Sequence, residues 1–257
     1  MTPLDTAHAA MEATPEDDAA RLRFYERLGD AELMLLLASE PDGDNISPQE
    51  FPVDDVPYVL AFDREERLAE FAEKTVPYVT LSGRVLAQML AGQGLGLGVN
   101  PGVAPSSILI PPNAVDWLGE TLAHGPSEAS DTPTEITAPR GLPEVLITAL
   151  DTKLATATGL AQVAYLAGVT YASGARGHML AFIGAEPAAQ DALAQATNEA
   201  LIFSGIEAGS LDVAFFDAAH PITAALASQA LRFDLPQPIE APTRAAPGSN
   251  PDKPPKL

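Results

Sequence analysis

Pro57-Tyr58-Val59-Leu60-Ala61-Phe62-Asp63 is the stretch on which the fold turns: an apolar run closed by an aspartate. A short apolar run with aromatic and β-branched members, bounded by polar residues, reads as a buried strand. Asp63 stands where it can cap an amphipathic helix, with Leu68 and Phe71 on one face and charges on the other. A strand handing over to a helix is the unit from which layered α/β folds are built.

The same alternation runs outward in both directions. Upstream, residues 32–38 (ELMLLLA) read as a buried strand, and before them Leu22, Tyr25 and Leu28 recur at helical spacing. That helix has Thr14 as its cap, Pro15 at its first position, acidic Glu16, Asp17 and Asp18 at the positive end of its dipole, and Gly29 as its stop. Residues 39–56 form a polar loop or bent hairpin arm. Downstream, residues 78–81 make a strand and Ser82 caps a helix through Leu86 and Leu90. Strands follow at 95–99 and 108–110, then a helix holding Val115, Trp117, Leu118 and Leu122. Residues 1–13, small, polar and Ala-rich, read as a flexible arm, so the first α/β unit spans 14–124.

Residues 125–140 (GPSEASDTPTEITAPR) exchange aliphatics for Pro, Ser, Thr and Glu, as a linker does. A second unit, 141–235, follows: a helix with Leu146, Leu150 and Leu154 on one stripe, strands at 160–169 and 178–183, a helix over 187–203, a strand at 211–216 and a closing helix at 221–231. The expected fold is therefore α/β (α+β), two small mixed-sheet units with packed helices. Residues 236–257 are Pro-rich with almost no aliphatics, and so read as a disordered tail.

The charge balance is 35 acidic against 14 basic residues, a net −21. Such a surface repels phosphate backbones and anionic bilayers, which argues against nucleic acid and membrane as partners. With no cysteine, thiol catalysis and thiolate metal sites are excluded. No apolar run reaches membrane-spanning length and the opening lacks a basic, then apolar, leader pattern, so a cytoplasmic setting is expected.

A family resemblance rests on Phe24-Tyr25-Glu26-Arg27-Leu28, Ala31-Glu32-Leu33, Val59-Leu60-Ala61-Phe62-Asp63, Arg67-Leu68, Phe71-Ala72, Tyr78-Val79-Thr80-Leu81-Ser82-Gly83-Arg84 and residues 94–102 (GLGLGVNPG). Their order resembles the N-terminal domain of bacterial SseB-family proteins, named for an enhanced serine sensitivity phenotype. Residues 142–233 resemble the C-terminal domain of the same family. The acidic loop 39–56 has no counterpart there. The resemblance implies two α/β domains and carries over no catalytic residue, because the name records a phenotype and not a reaction.

Motif by motif, the residues point the same way. Gly94-x-Gly96-x-Gly98 follows a helix and leads into a strand, the reverse of a dinucleotide fingerprint. Asp42-Gly43-Asp44-Asn45 opens like a calcium loop but places Ile46, Ser47 and Val53 at later ligand positions, so a turn fits better. His8, His124, His178 and His220 form no metal-ligand spacing. His220 near Asp217 reads as a helix-entry contact rather than a base. The patch that stands out is Ser82-Gly83-Arg84 with Asn100-Pro101-Gly102, since helix starts and strand-following turns gather at one sheet edge. Ser82, Arg84, Asn100 and Gly102 are thus the candidate ligand- or partner-binding residues. Arg84 sits in a first helical turn, where the dipole disfavours a cation; a carboxylate-bearing ligand explains it, and so does a structural ion pair.

No catalytic constellation and no cofactor motif emerges. The expected function is a non-enzymatic binding or regulatory module acting through protein contacts, with protein partners or a homodimer. The competing reading is an enzyme or small-ligand-binding protein linked to amino-acid (serine) metabolism.

Overall fold

The computed structural model describes residues 1–43, 45–123, 131–205 and 211–238. The first unit runs α1 (Pro3–Ala13), α2 (Asp18–Asp30), β1 (Glu32–Leu36), β2 (Glu50–Val53), β3 (Val56–Phe62), α3 (Glu65–Ala72), β4 (Tyr78–Ser82), α4 (Gly83–Leu90), β5 (Gly96–Val99), β6 (Ile108–Ile110) and α5 (Pro112–Ala123). The second runs β7 (Pro133–Thr137), α6 (Glu144–Leu154), β8 (Val163–Tyr171), β9 (Arg176–Ile183), α7 (Gln190–Phe203), β10 (Leu211–Phe216), α8 (Ile222–Gln229) and β11 (Leu231–Asp234).

The PYVLAF run is the spine of the first sheet. Strand order is β4-β1-β3-β5-β6, with β2 also pairing β3. β3 lies antiparallel to β1 and parallel to β5. Its alternate side chains explain why the run is apolar throughout: a strand covered on both faces has no polar side. Val59 and Ala61 enter the main core under α1, α2, α4 and α5, with Leu33, Leu35, Phe24 and Leu86. Leu60 and Phe62 face a second cluster under α3, with Leu36, Leu68 and Phe71. Gly96 and Gly98 of β5 lie where a Cβ would collide with the side chains of Tyr58 and Leu60, so the Gly-rich strand serves close packing.

The second sheet has the order β10-β9-β8-β11, with β7 also on β8. β8 and β9 form an antiparallel hairpin, and α7 carries the chain to β10, parallel to β9. β9, like β3, lies between an antiparallel and a parallel neighbour, and the echoed triplets Leu60-Ala61-Phe62 and Leu180-Ala181-Phe182 occupy these two strands. Leu146, Leu150, Leu154 and Phe203's neighbour Ala200 cover one sheet face, and Leu226 of α8 the other.

Several expectations need correction. Residues 1–13 are not a loose arm but a helix nucleated by a capping box: the Thr2 hydroxyl accepts from Asp5 N–H at 3.2 Å and the Asp5 carboxylate from Thr2 N–H at 2.8 Å. Leu4 and His8 are buried, so the helix docks on the core. α2 starts at Asp18 with Asp17 as cap, and Gly29 stays helical beneath Leu122 rather than stopping the helix. Asp63 does not cap α3, whose cap residue is Arg64; its carboxylate accepts from Arg67 and Thr2 instead. The stretch 125–140 contains β7, a strand of the second sheet, because Pro133–Thr137 finds the open edge of β8; residues 125–130 lie outside the described residues. The closing helix ends at Gln229, and Leu231–Asp234 adds a strand along β8. Pro236 and Gln237 still bond to the second unit, through Gly159 N–H at 2.9 Å and Ala161 O at 3.0 Å; the tail from 239 lies outside the described residues.

At Gly83 the start of α4 presses on α2: its N–H donates to Ala31 O at 2.8 Å, and a Cβ would collide with the Leu28 carbonyl oxygen. Gly83→Ala should therefore cost about 2 kcal/mol or more in urea unfolding, because the obstacle is backbone and cannot rotate away. A loss below about 0.5 kcal/mol would contradict this packing.

Candidate functional site at the junction of the two sheets

Four helices converge where the units meet, and each presents at least one ionisable side chain. α2 brings Glu26 and Asp30, α4 brings Arg84, α6 brings Lys153, and α7 brings Gln195 and Glu199. Arg84 forks onto Glu199, Nη1 to Oε1 at 2.5 Å and Nη2 to Oε2 at 2.8 Å. Lys153 Nζ lies 2.8 Å from both Asp30 oxygens, 3.2 Å from Glu199 Oε2 and 3.8 Å from Glu26 Oε1. Gln195 donates to Glu199 Oε1 at 2.9 Å and to the Leu122 carbonyl at 3.3 Å, a carbonyl that Arg84 and Gln88 also reach.

These charges are out of water. The side chains of Glu26 and Glu199 are each 1% exposed and that of Lys153 7%, against 30% for Arg84. Burial is the largest influence on Glu199 and pushes its carboxyl up, but the Arg84 hydrogen bond, the Lys153 charge and Gln195 outweigh it and hold it below its ordinary value. On Glu26 burial wins: its carboxyl is raised despite Lys153 and Arg27. Its Oε1 has no hydrogen-bond partner among the described residues. Beside the pairs opens a cleft of about 300 Å³, lined by Asp30, Arg84, Lys153, Leu160, Gln195 and Glu199 among others. The joint also has an apolar part, since Phe203 of α7 enters the first core and meets Trp117 edge-on at 6.2 Å.

A second network lies at the C-terminal ends of parallel β3 and β5. Arg67 donates to Asp5 Oδ1 at 3.0 Å and Oδ2 at 2.6 Å, and to Asp63 at 2.7 Å. Ser106 donates to Asp5 at 2.6 Å and accepts from Asn100 Nδ2 at 2.9 Å, while Asn100 Oδ1 accepts from Asp63 N–H at 3.2 Å. Burial pushes the Asp5 carboxyl up, but Arg67, Ser106 and Thr2 N–H overcome it and hold it well below the usual carboxylate range.

The candidate residues therefore separate. Ser82 caps α4, accepting from Val85 N–H at 3.3 Å. Arg84 belongs to the junction. Asn100, fully buried at φ 48°, fixes the turn after β5, and Gly102 donates its N–H to Ser107 at 3.0 Å at φ 72°. Arg84 and Asn100 share a sheet edge but not a site: β4 and β5 are three strand spacings apart, about 14 Å, and their networks have no residue in common. The sequence reading missed Glu26, Lys153, Glu199, Asp5 and Arg67. One signal was available, as Lys153 and Glu199 sit on mainly apolar helix stripes, with Leu146, Leu150 and Leu154 on α6 and Leu193, Thr197, Ala200 and Phe203 on α7. His220 accepts from Ile222 N–H at 3.3 Å at the entry to α8, its ring tilted 36° against Phe216 at 4.9 Å. His124 and Asp44 lie outside the described residues. Among the described residues no group of three His, Asp or Glu side chains is arranged to hold a metal ion, and no helix is long and apolar enough to cross a membrane.

Glu199→Gln takes the carboxylate from half-buried Arg84 and one of two close carboxylates from buried Lys153, and should cost about 3 kcal/mol at neutral pH, whereas Glu26→Gln removes a disfavoured charge and should be neutral or stabilising. The pH dependence has opposite signs. Glu199 and Asp5, held low, lend stability that is complete above the usual carboxylate range and lost as pH falls through their folded values. Glu26, held high, subtracts stability when ionised and returns it as pH falls through its raised value. In urea titrations the free-energy gap between Glu26→Gln and the native chain should thus be widest near neutrality and close with acid. A gap unchanged from about pH 7 to about pH 4 would contradict this assignment.

Comparison with known proteins adds one finding. Residues 4–117 match the family model described as SseB protein N-terminal domain, which takes in α1 through most of α5. Searches of curated proteins and of solved structures returned no match. The first unit therefore carries an SseB N-terminal domain.

Proposed function

We propose that the protein is a binding or regulatory module that acts through protein contacts rather than through catalysis. One observation carries this reading: Arg84 and Lys153, the cations of the junction cleft, are already committed to Glu199 and Asp30 at hydrogen-bond distance. A catalytic group must keep a lone pair or proton free for substrate. Here the gathered charges fasten elements to one another, Arg84 and Lys153 across the units and Arg67 between α1 and α3. Rigid fastening of two sheets under a strongly acidic exterior suits a module that presents a fixed surface to a partner.

The cleft of about 300 Å³ supports a second reading, a small ligand of amino-acid size held between the units. The two separate by experiment. Proteins captured by cross-linking are purified and titrated against the pure chain in calorimetry, and a metabolite panel is screened in parallel for thermal shift and turnover. Reversible binding of one purified protein, with no metabolite converted, is the expected result. Turnover of a small molecule that Arg84→Ala or Lys153→Ala abolishes would overturn the protein-contact reading.

A further inference from the structure

The second unit carries a feature that neither the junction nor the Asp5 network uses. On β8, Ala164 and Leu166 face α6 and α7, and by strand alternation Gly168 and Thr170 follow on the same face. On β9, Leu180 and Phe182 face the same way, and so do His178 and Arg176. Register sets Thr137, Gly168 and His178 in one row across β7, β8 and β9, and Glu135, Thr170 and Arg176 in the next.

The chain leaves β7 by crossing over this face. A Cβ on Gly168 would stand 2.6 Å from Thr137 Oγ1 and 3.3 Å from Ala138 O, so only glycine leaves room for the crossing. Arg140 O then bonds His178 Nε2 at 3.1 Å. Between this crossing and the β8–β9 turn lies a trough of about 340 Å³, lined by Thr137, Arg140, Gly168, Thr170, Arg176 and His178, with Glu135 also in its wall.

Among the described residues Arg23, Arg64, Lys74, Arg140 and Arg176 enter no ion pair, and the trough is where two of these cations meet. Arg67, Arg84, Lys153 and Arg232 are each paired with carboxylates. Arg140 and Arg176 make no ion pair among the described residues, although the chain holds 35 acidic residues against 14 basic ones. Glu135 accepts from Thr170 Oγ1 at 3.4 Å instead of pairing with either arginine. The bond from His178 Nε2–H to Arg140 O holds the crossing chain against the sheet at the floor of the trough.

We propose that this trough binds the phosphate monoester group of a small molecule. Two planar guanidinium forks and the Thr137 hydroxyl offer more donors than the two oxygens of a carboxylate can use, and they suit the three terminal oxygens of a phosphate. The volume lies at the low end for small-molecule sites, which favours a compact phosphorylated metabolite over a dinucleotide. Glu135 is placed to take a hydroxyl or ammonium group of the same ligand. The site is independent of the protein-contact reading, which stands or falls without it.

The test titrates inorganic phosphate and glycerol phosphate into the full-length protein, followed by amide shifts in NMR, with acetate as the comparison anion. Saturable shifts on β8, β9 and residues 137–140 are expected, with a dissociation constant of about 1 mM or tighter and weaker acetate binding. Arg140→Ala and Arg176→Ala should each weaken phosphate at least about tenfold, the loss of one charge-assisted fork. Arg232→Ala, whose arginine pairs with Asp234 outside the trough, should leave it unchanged. Both trough arginines are exposed, so their variants keep the fold, which unchanged amide spectra outside the trough verify. Shifts that do not saturate, acetate binding as tight as phosphate, or arginine variants that bind like the native chain would overturn the proposal.

Discussion

The structure depends on one shared carboxylate. Glu199 takes a two-pronged bond from Arg84 of the first unit and a contact at 3.2 Å from Lys153 of the second, with its side chain 1% exposed. Taking ions out of water costs several kcal/mol each, and only tight geometry with satisfied neighbours offsets that. The offset is visible here, as Gln195 fills a remaining lone pair and Asp30 neutralises the second cation. What such a network supplies is orientation: apolar faces would let the sheets slide, whereas a bidentate guanidinium accepts one arrangement. Phe203, seated in the first core, anchors the same arrangement by packing.

Much of the fold was legible because it is local. β3 and β1 could be read from continuous apolar runs, since strands covered on both faces have no polar alternation. Ser82 could be read as a cap because capping is a three-residue matter. The errors were local too. The α1 capping box closes with Asp5 instead of the more usual Glu or Gln, and an Ala-rich stretch with only Met1, Leu4 and Met11 as large apolar residues looks loose although Ala is the best helix former. β7 and β11 were lost because edge strands carry few apolar residues and take their identity from the strand they pair with, here β8.

The candidate site was far less legible, for a physical reason. Glu199 lies 115 residues from Arg84, Asp30 lies 123 from Lys153, and Asp5 lies 101 from Ser106. No spacing rule reaches that far, so Arg84 could be singled out as an odd cation while its partner could not be named. Asn100 looked like a neighbour of Arg84 because both follow strands of one direction. Strand order decides otherwise, placing β1 and β3 between them. The family model ends at residue 117, before the second unit begins, yet Arg84, inside the matched span, finds its carboxylate only in that second unit.

Whether the two sheets behave as one body is the point on which everything else rests, and scanning calorimetry of the full-length chain reads it directly. A joint of this kind makes the units melt together, in a single transition whose calorimetric and van't Hoff enthalpies agree. Two resolved transitions, or a calorimetric enthalpy well above the van't Hoff value, would show that each sheet melts alone and that the shared carboxylate couples nothing.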